Sequence, residues 1–358
     1  MELSRTINSD KRYYLDENTI ENTASFLQTM RVFNDAKIDL YNALYDQKYL
    51  ASGPLIDHAY PVFLKEKYKT NDYYNAAIYS AASGSISSQK ELKKYYSTTI
   101  TADLKTRDEK IQTIQEALDK KKAVKNSIRI YRKDGRWITP YPRCQLKVKG
   151  LMIVLFNKTI VKLDEYERSV EADIRKLKTR LALVMEARRR KEKKLENIKN
   201  LPPERIVFGG KKLYSEKDTV GITKSAEDNK TSQKALKEWK QDFFEKRHQS
   251  MALPGRHTSK YGNFLCKYDG KDLSVTCIDG TTTVFHDFKL PRYNEAFQRN
   301  FTCKPEDRQS ICYNFTVKRD RKNRQYIIVS VTMKLQAYEN SYYENGAISM
   351  DINSANAK

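Results

Sequence analysis

The hydrophobic periodicity of the chain changes once, near Leu201, and this change constrains the fold more than any other feature. From residue 16 to 200, apolar side chains recur at helical spacing with few Gly or Pro residues, which predicts several antiparallel helices. Leu201-Pro202-Pro203 has the extended bias that ends a helix, and the following apolar residues mostly alternate as in strands. The prediction is an α+β protein, helical over 1–200 and mostly β over 201–345.

The clearest predicted helix follows Asn157. Its apolar residues are spaced three and four apart and predict one stripe along about seven turns; they are Ile160, Leu163, Tyr166, Val170, Ile174, Leu177, Leu181 and Val184. The far end of this helix carries Arg188, Arg189 and Arg190. Two interpretations stay open, a solvated helix end that complements the helix dipole and a direct contact with phosphate.

Turn signals divide the β part into strands. Runs at 264–268, 273–277 and 281–285 are separated by Asp-Gly pairs and predict a meander, while 311–317 and 326–335 predict a second hairpin. With a further strand at 206–208, six strands suffice for a closed or partly open antiparallel barrel, interrupted by a helical insertion near 232–248. A small Asp-Gly hairpin is also predicted within 128–140.

The net charge points to a polyanionic partner. Lys and Arg outnumber Asp and Glu by 67 to 45, a formal charge of +22, and such a surplus attracts nucleic acid in a salt-dependent manner. No stretch approaches the roughly 18 apolar residues of a membrane span, and the N-terminus lacks a signal-peptide core, so a cytoplasmic protein without a membrane partner is expected. The sequence has no CxxC pair, and no zinc site is expected.

Cations in the β part are the candidate phosphate contacts. Five of them fall within 318–324 and repel one another unless an anion lies nearby, although a solvated turn remains an equal alternative. The loop 254–263 combines glycine with cations and hydroxyls, which favours a close approach to a phosphodiester chain. The candidates in this part are Lys211, Lys212, Arg247, Arg256, Lys260, Lys318, Arg319, Arg321, Lys322 and Arg324.

Tyrosine pairs occur at 13–14, 73–74 and 95–96, in part beside lysines. Such rings could stack on unpaired bases, but core packing is the favoured interpretation. One ring of each pair is expected to face inward and the other outward.

An ordered set of residues resembles the TnpB (OrfB) family of transposon-associated, RNA-guided DNA nucleases, which are similar to miniature type V CRISPR effectors. The set covers about 205–358 and consists of Phe208-Gly209-Gly210-Lys211-Lys212-Leu213, Trp239, Arg247, Gly255-Arg256, Gly262-Asn263, the hairpin 313–335 and the segment 346–353. The resemblance implies a helical recognition lobe over 1–200, a wedge-type β-barrel over 201–345 and, over 346–358, the first strand of a RuvC-like domain with an RNase H fold. It also implies guide RNA and target DNA as partners, with sequence read by base pairing.

On this resemblance Asp351 takes the place of the first RuvC carboxylate and becomes a Mg²⁺ ligand only if the remaining nuclease domain is supplied. One aspartate cannot build a two-metal site, so the expected protein binds guide RNA and target DNA without cleaving alone. Two alternatives stay open: a split RuvC nuclease completed by a separate C-terminal half, and a basic helical scaffold for protein interactions. The resemblance also places a first barrel strand at the N-terminus, where residues 1–14 alternate poorly.

Overall fold

The computed structural model describes residues 2–52, 59–155, 158–220, 226–304 and 307–336. The helices are α1 (Thr23–Tyr45), α2 (Tyr60–Tyr68), α3 (Asp72–Asp134), α4 (Leu163–Asn200), α5 (Lys211–Ser215), α6 (Lys217–Val220), α7 (Ala226–Arg247) and α8 (Asn294–Thr302), with a π-helical turn at Asp46–Leu50. The strands are β1 (Glu2–Asn8), β2 (Tyr13–Tyr14), β3 (Lys147–Lys149), β4 (Met152–Val154), β5 (Ile160–Lys162), β6 (Ser250–Leu253), β7 (Cys266–Tyr268), β8 (Leu273–Thr276), β9 (Thr282–Phe285), β10 (Cys312–Arg319) and β11 (Gln325–Gln336).

The chain divides into two compact units. The first combines the residues up to Ile86 with those from Arg205 onward, and the second contains residues from Ser87 to Glu204. Helix α3 contributes its first fifteen residues to one unit and the rest to the other. The predicted boundary at residue 200 lies close to Arg205, where the chain re-enters the first unit. The residues up to Ile86 were predicted to belong to the helical part, but they group with the β part instead.

The first unit contains two antiparallel sheets. One has the strand order β1-β11-β10-β6, with β2 also paired to β11, and the other is the predicted meander β7-β8-β9. The mixed α+β class is confirmed. Between the sheets, Phe26 of α1 packs edge-on against Phe285 and Phe315, with ring centroids 5.2 and 5.1 Å apart. The described strands of this unit form two sheets and no closed barrel, so of the closed or partly open barrel that was expected, the closed form is not found.

The N-terminal segment pairs as a full strand despite its poor alternation. Strand β1 is antiparallel to β11 over seven residues, with Thr6 opposite Thr332 and their hydroxyl oxygens 2.8 Å apart. A partner more than 300 residues away supplies this pairing, and the local sequence gives no sign of it. The predicted strand at 206–208 is wrong, because Gly210 donates to the Val207 carbonyl in a turn and Phe208 packs edge-on against Tyr41.

The second unit is an antiparallel pair of helices, α3 and α4, joined by the small sheet β3-β4-β5. Its core consists of Val124, Ile128, Ile153, Leu163 and Val170. Ion pairs fix the helix register, Lys121 with Asp173 and Lys125 with Glu171, each at 2.7 Å. In the described part of the chain, no helix is both long enough and apolar enough to cross a membrane.

Three predictions for this unit need correction. The hairpin expected within 128–140 is absent, because α3 continues to Asp134 and Gly135, at φ +66°, follows its end. Helix α4 begins at Leu163, so Ile160 belongs to a strand, and it continues to Asn200. Tyr95 and Tyr96 are both exposed, at 64% and 52%, because α3 packs here against a single neighbouring helix.

Candidate nucleic-acid interface

A groove of the first unit lies between α1, α7 and the hairpin β10-β11. It encloses about 720 Å³ and has an apolar floor that includes Leu27, Met30 and Val317. Its rim carries four cations, Arg31, Lys246, Lys318 and Arg319, and two carboxylates, Asp242 and Glu245. The rim is therefore net positive by two charges, and the open groove combines apolar surface with cations.

Helix α7 is held in place by the glycine turn that the sequence analysis singled out. The Trp239 indole donates to the Leu213 carbonyl at 2.6 Å and stacks on Phe243 with a centroid distance of 5.4 Å. A Cβ on Gly209 would lie 2.9 Å from the Phe243 ring and 3.0 Å from the Arg247 side chain. Only glycine fits this close approach, and it brings the turn before α5, which carries Lys211 and Lys212, against α7.

Phe244 and Arg31 form the wall of the groove that suits a base. The Phe244 ring is 44% exposed, and the Arg31 guanidinium lies 5.7 Å from its centroid. His248 is buried behind the ring, with Nδ1 2.7 Å from the Phe244 carbonyl oxygen and Nε2 2.9 Å from Asp35. Neither Phe244 nor Arg31 was among the sequence candidates, because the sequence reveals neither the exposure of a helical aromatic residue nor its contact with a distant arginine.

The basic hairpin loop is partly neutralised within the protein. Arg319 forms a forked pair with Glu245 at 2.6 and 2.8 Å, which ties the hairpin to α7. Arg324 pairs with Asp320 at 3.1 Å and lies over the Tyr14 ring at 4.2 Å; its hydrogen bond with Asp320 raises its pKa above the usual value. The expected repulsion among five cations is therefore relieved by Glu245 and Asp320, without requiring phosphate.

Three cations of this hairpin remain available to an anion. Lys318, Arg321 and Lys322 are exposed and form no ion pair with any residue in the described ranges. Of these, Lys318 lies on the groove rim near Phe244. The structure thus separates the predicted loop cluster into cations that hold the fold and cations that face solvent.

The loop 254–263 is shaped mainly by packing. The Asn263 amide is buried, donates to the Leu253 and Ile311 carbonyls at 3.0 and 3.1 Å, and accepts from the amides of the next strand. A Cβ on Gly255 would lie 2.3 Å from the Ile311 backbone nitrogen. The glycines and Asn263 therefore have a structural explanation, whereas Arg256 and Lys260 are exposed and stay candidates for phosphate contact.

A small cavity adjoins Arg256. It encloses about 190 Å³ and is walled by Tyr73 and Phe264, which stack with centroids 4.7 Å apart. Arg256 stands at its edge, so this side of the first unit also places a cation beside aromatic rings.

The arginine cluster of the second unit is engaged with carboxylates. Arg188 contacts Asp108 of α3 at 2.5 Å, and this hydrogen bond raises its pKa, while Arg189 and Arg190 pair with Glu186 at 3.1 and 3.0 Å. The cluster lies ten or more residues before the end of α4, beyond the reach of the helix-dipole effect that the sequence interpretation invoked. Arg189 and Arg190 keep 80% and 78% of their side chains exposed and could still contact an anion.

Asp351 lies outside the described residues. Within those ranges, no three His, Cys, Asp or Glu side chains are grouped so as to hold a metal ion.

Comparison with known proteins gives no relative. No protein-family model, curated protein or solved structure matches the chain.

Proposed function

We propose that this chain is the nucleic-acid-binding portion of an RNA-guided DNA endonuclease of the TnpB type, and that its first unit grips RNA. The observation that carries the proposal is the groove in which the exposed Phe244 ring lies near Arg31, Lys246 and Lys318. A flat ring can stack on an unpaired base while adjacent cations contact phosphates, a combination that binds single strands with little dependence on sequence.

Two further observations support the TnpB-type assignment. The resemblance places a barrel strand at the N-terminus ahead of the helical lobe, and β1 pairs with β11 so that the helices are inserted between strands of one sheet. Residues on which the TnpB resemblance rests also contact one another. Gly209 packs against Arg247, and the Trp239 indole donates to the carbonyl of Leu213, which follows the two glycines. Asp351 keeps its conditional role and takes no part in the proposed binding.

The first test is to purify the full chain from its native cells in moderate salt, digest unprotected nucleic acid and sequence the RNA that remains bound. One discrete RNA transcribed beside its own coding region is the expected result. Heterogeneous RNA would reduce the proposal to nonspecific binding by a basic protein, and absence of RNA would overturn it.

The second test assigns that binding to the groove. Replacing the rim cations Arg31, Lys246 and Lys318 by Ala should lower the slope of log affinity against log salt by about 2 to 3, because each phosphate contact contributes roughly 0.7 to 0.9. Phe244→Ala should cost about 1–3 kcal/mol of affinity for a single strand by removing one stacking platform.

The matched control replaces three exposed lysines of α7, Lys234, Lys237 and Lys240, by Ala, and it removes the same charge away from the groove rim. The control should keep most of the salt slope. If both triple variants lower the salt slope equally, binding depends on the total positive charge of the chain and not on the groove, and the assignment to the groove is contradicted. A shallow salt dependence in the wild type would favour the protein-scaffold alternative.

A further inference from the structure

The small sheet of the second unit has an outer face whose side chains are mostly exposed. One face packs on the helices through the buried Ile153. Because alternate residues of a strand point to opposite faces and paired residues share a face, the register assigns six side chains to the other face. They are Lys147, Lys149, Met152, Val154, Ile160 and Lys162.

Aliphatic side chains protrude from this face and from its turn. Leu151, in the turn between β3 and β4, is 81% exposed, and Ile160 is 61% exposed. The turn is anchored, because the Tyr131 hydroxyl donates to the Gly150 carbonyl at 3.2 Å and the Leu163 amide donates to the Leu151 carbonyl at 2.9 Å. The backbone of the apex is therefore fixed, and the Leu151 side chain is presented outward.

Cations surround these aliphatic groups. Lys147, Lys149 and Lys162 are exposed, and the face carries no carboxylate. Asp164, just beyond β5, is paired with Arg132; Glu165 is the next exposed acid along the chain. A second copy of the same face would oppose lysine to lysine, so the electrostatics favour an anionic partner.

We propose that this face binds the surface of an anionic lipid bilayer, with Leu151 and Ile160 entering the boundary of the acyl chains and the three lysines contacting headgroup phosphates. Protruding aliphatic side chains flanked by lysines suit a deformable medium, whereas base stacking uses aromatic rings. This is a surface contact and needs no spanning segment. It would add membrane attachment to a chain whose first unit binds nucleic acid.

The test is sedimentation of the full, nuclease-treated chain with vesicles of phosphatidylcholine, with or without about 30 mol % phosphatidylserine. Binding is expected only with the anionic vesicles. The double variant Leu151→Ser with Ile160→Ser should bind about tenfold or more weakly, because it removes two inserted aliphatic groups without changing the charge. The control Leu183→Ser with Met185→Ser, at exposed positions of α4, should bind like the wild type.

A charge variant separates lipid from nucleic acid. Reversing Lys147, Lys149 and Lys162 to Glu should abolish vesicle binding, while reversing Lys193 and Lys194 of α4 should have a smaller effect. The proposal is overturned if the aliphatic double variant binds vesicles as the wild type does, or if the α4 control loses as much. Loss of RNA affinity in the lysine variant with vesicle binding unchanged would instead make the face a phosphate-contacting surface and also overturn it.

Discussion

Lys37 offers the sharpest prediction for stability, because the fold holds its ammonium in an apolar setting. Its Nζ donates to the Asn34 side-chain oxygen at 2.5 Å and lies 5.5 Å from the Phe208 ring centroid. It forms no ion pair with any described residue, and burial lowers its pKa from 10.5 to about 8. At neutral pH the folded protein therefore carries a charge that its surroundings disfavour.

The expected magnitude follows from linkage. Lowering the pKa from 10.5 to about 8 corresponds to about 3.5 kcal/mol of stability lost at pH 7 relative to the neutral amine, because a tenfold change in an equilibrium constant is worth about 1.4 kcal/mol. The folded pKa lies below the unfolded one, so the unfolded chain binds more protons between pH 8 and 10.5, and stability from this group rises across that window. Below pH 8 both states are protonated and the penalty is constant.

The perturbation is Lys37→Met, which keeps an unbranched side chain and removes the charge. The variant should be more stable than the wild type at pH 7 by up to about 3.5 kcal/mol, less the contribution of the lost hydrogen bond. Its advantage should shrink by about 2 kcal/mol between pH 7 and 9.5 as the wild-type amine deprotonates.

Urea unfolding at the two pH values measures this difference, with Lys240→Met on the exposed face of α7 as the control. The control should shift neither stability nor its pH dependence. A Lys37→Met variant that is less stable than the wild type at pH 7, or whose advantage does not change with pH, would refute the assignment of a desolvated amine.

Three further outcomes are expected. The hydrogen bond that the His286 ring donates to the Asp272 carboxylate raises the pKa of His286. Its contribution to stability is therefore full at acidic pH and is lost as pH rises through the folded pKa, and in His286→Gln the melting temperature should lose this part of its pH dependence. Asn263→Ala should destabilise by about 3 kcal/mol or more in urea unfolding, because several buried backbone groups lose their partner. Gly209→Ala should lower both stability and RNA affinity more than Gly210→Ala, since both have positive φ but only the first would contact α7.

Local turn chemistry made much of the β part predictable. The Asp-Gly pairs at 269–270 and 279–280 correctly located β7, β8 and β9, and the run 326–335 closely matches β11. The same signal misled at Asp134-Gly135, where glycine follows a 63-residue helix. An Asp-Gly pair marks a β-hairpin only if strands flank it, and here a helix precedes the pair and no strand follows it before Lys147.

Pairings between distant residues could not be predicted. Strand β1 depends on β11, and the shared core of the two sheets brings Phe26 of α1 together with Phe285 and Phe315, which lie in different sheets. The groove likewise depends on contacts between residues that are distant in sequence. Phe244 and Arg31 lie far apart in sequence, and neither belongs to a basic run, so composition alone points away from them.

The arginines show why a run of cations is a poor guide to a binding surface. Arg319 and Arg188 each belong to a dense basic run, yet each is held by a carboxylate more than 70 residues away, Glu245 and Asp108 respectively. A partly exposed ion pair contributes little to stability, but it occupies the guanidinium groups that would otherwise meet phosphate. Lys318, without such a partner in the described ranges and beside an exposed ring, has more to gain from an anion. The binding surface is therefore better assigned from unpaired cations near aromatic rings than from the density of positive charge along the chain.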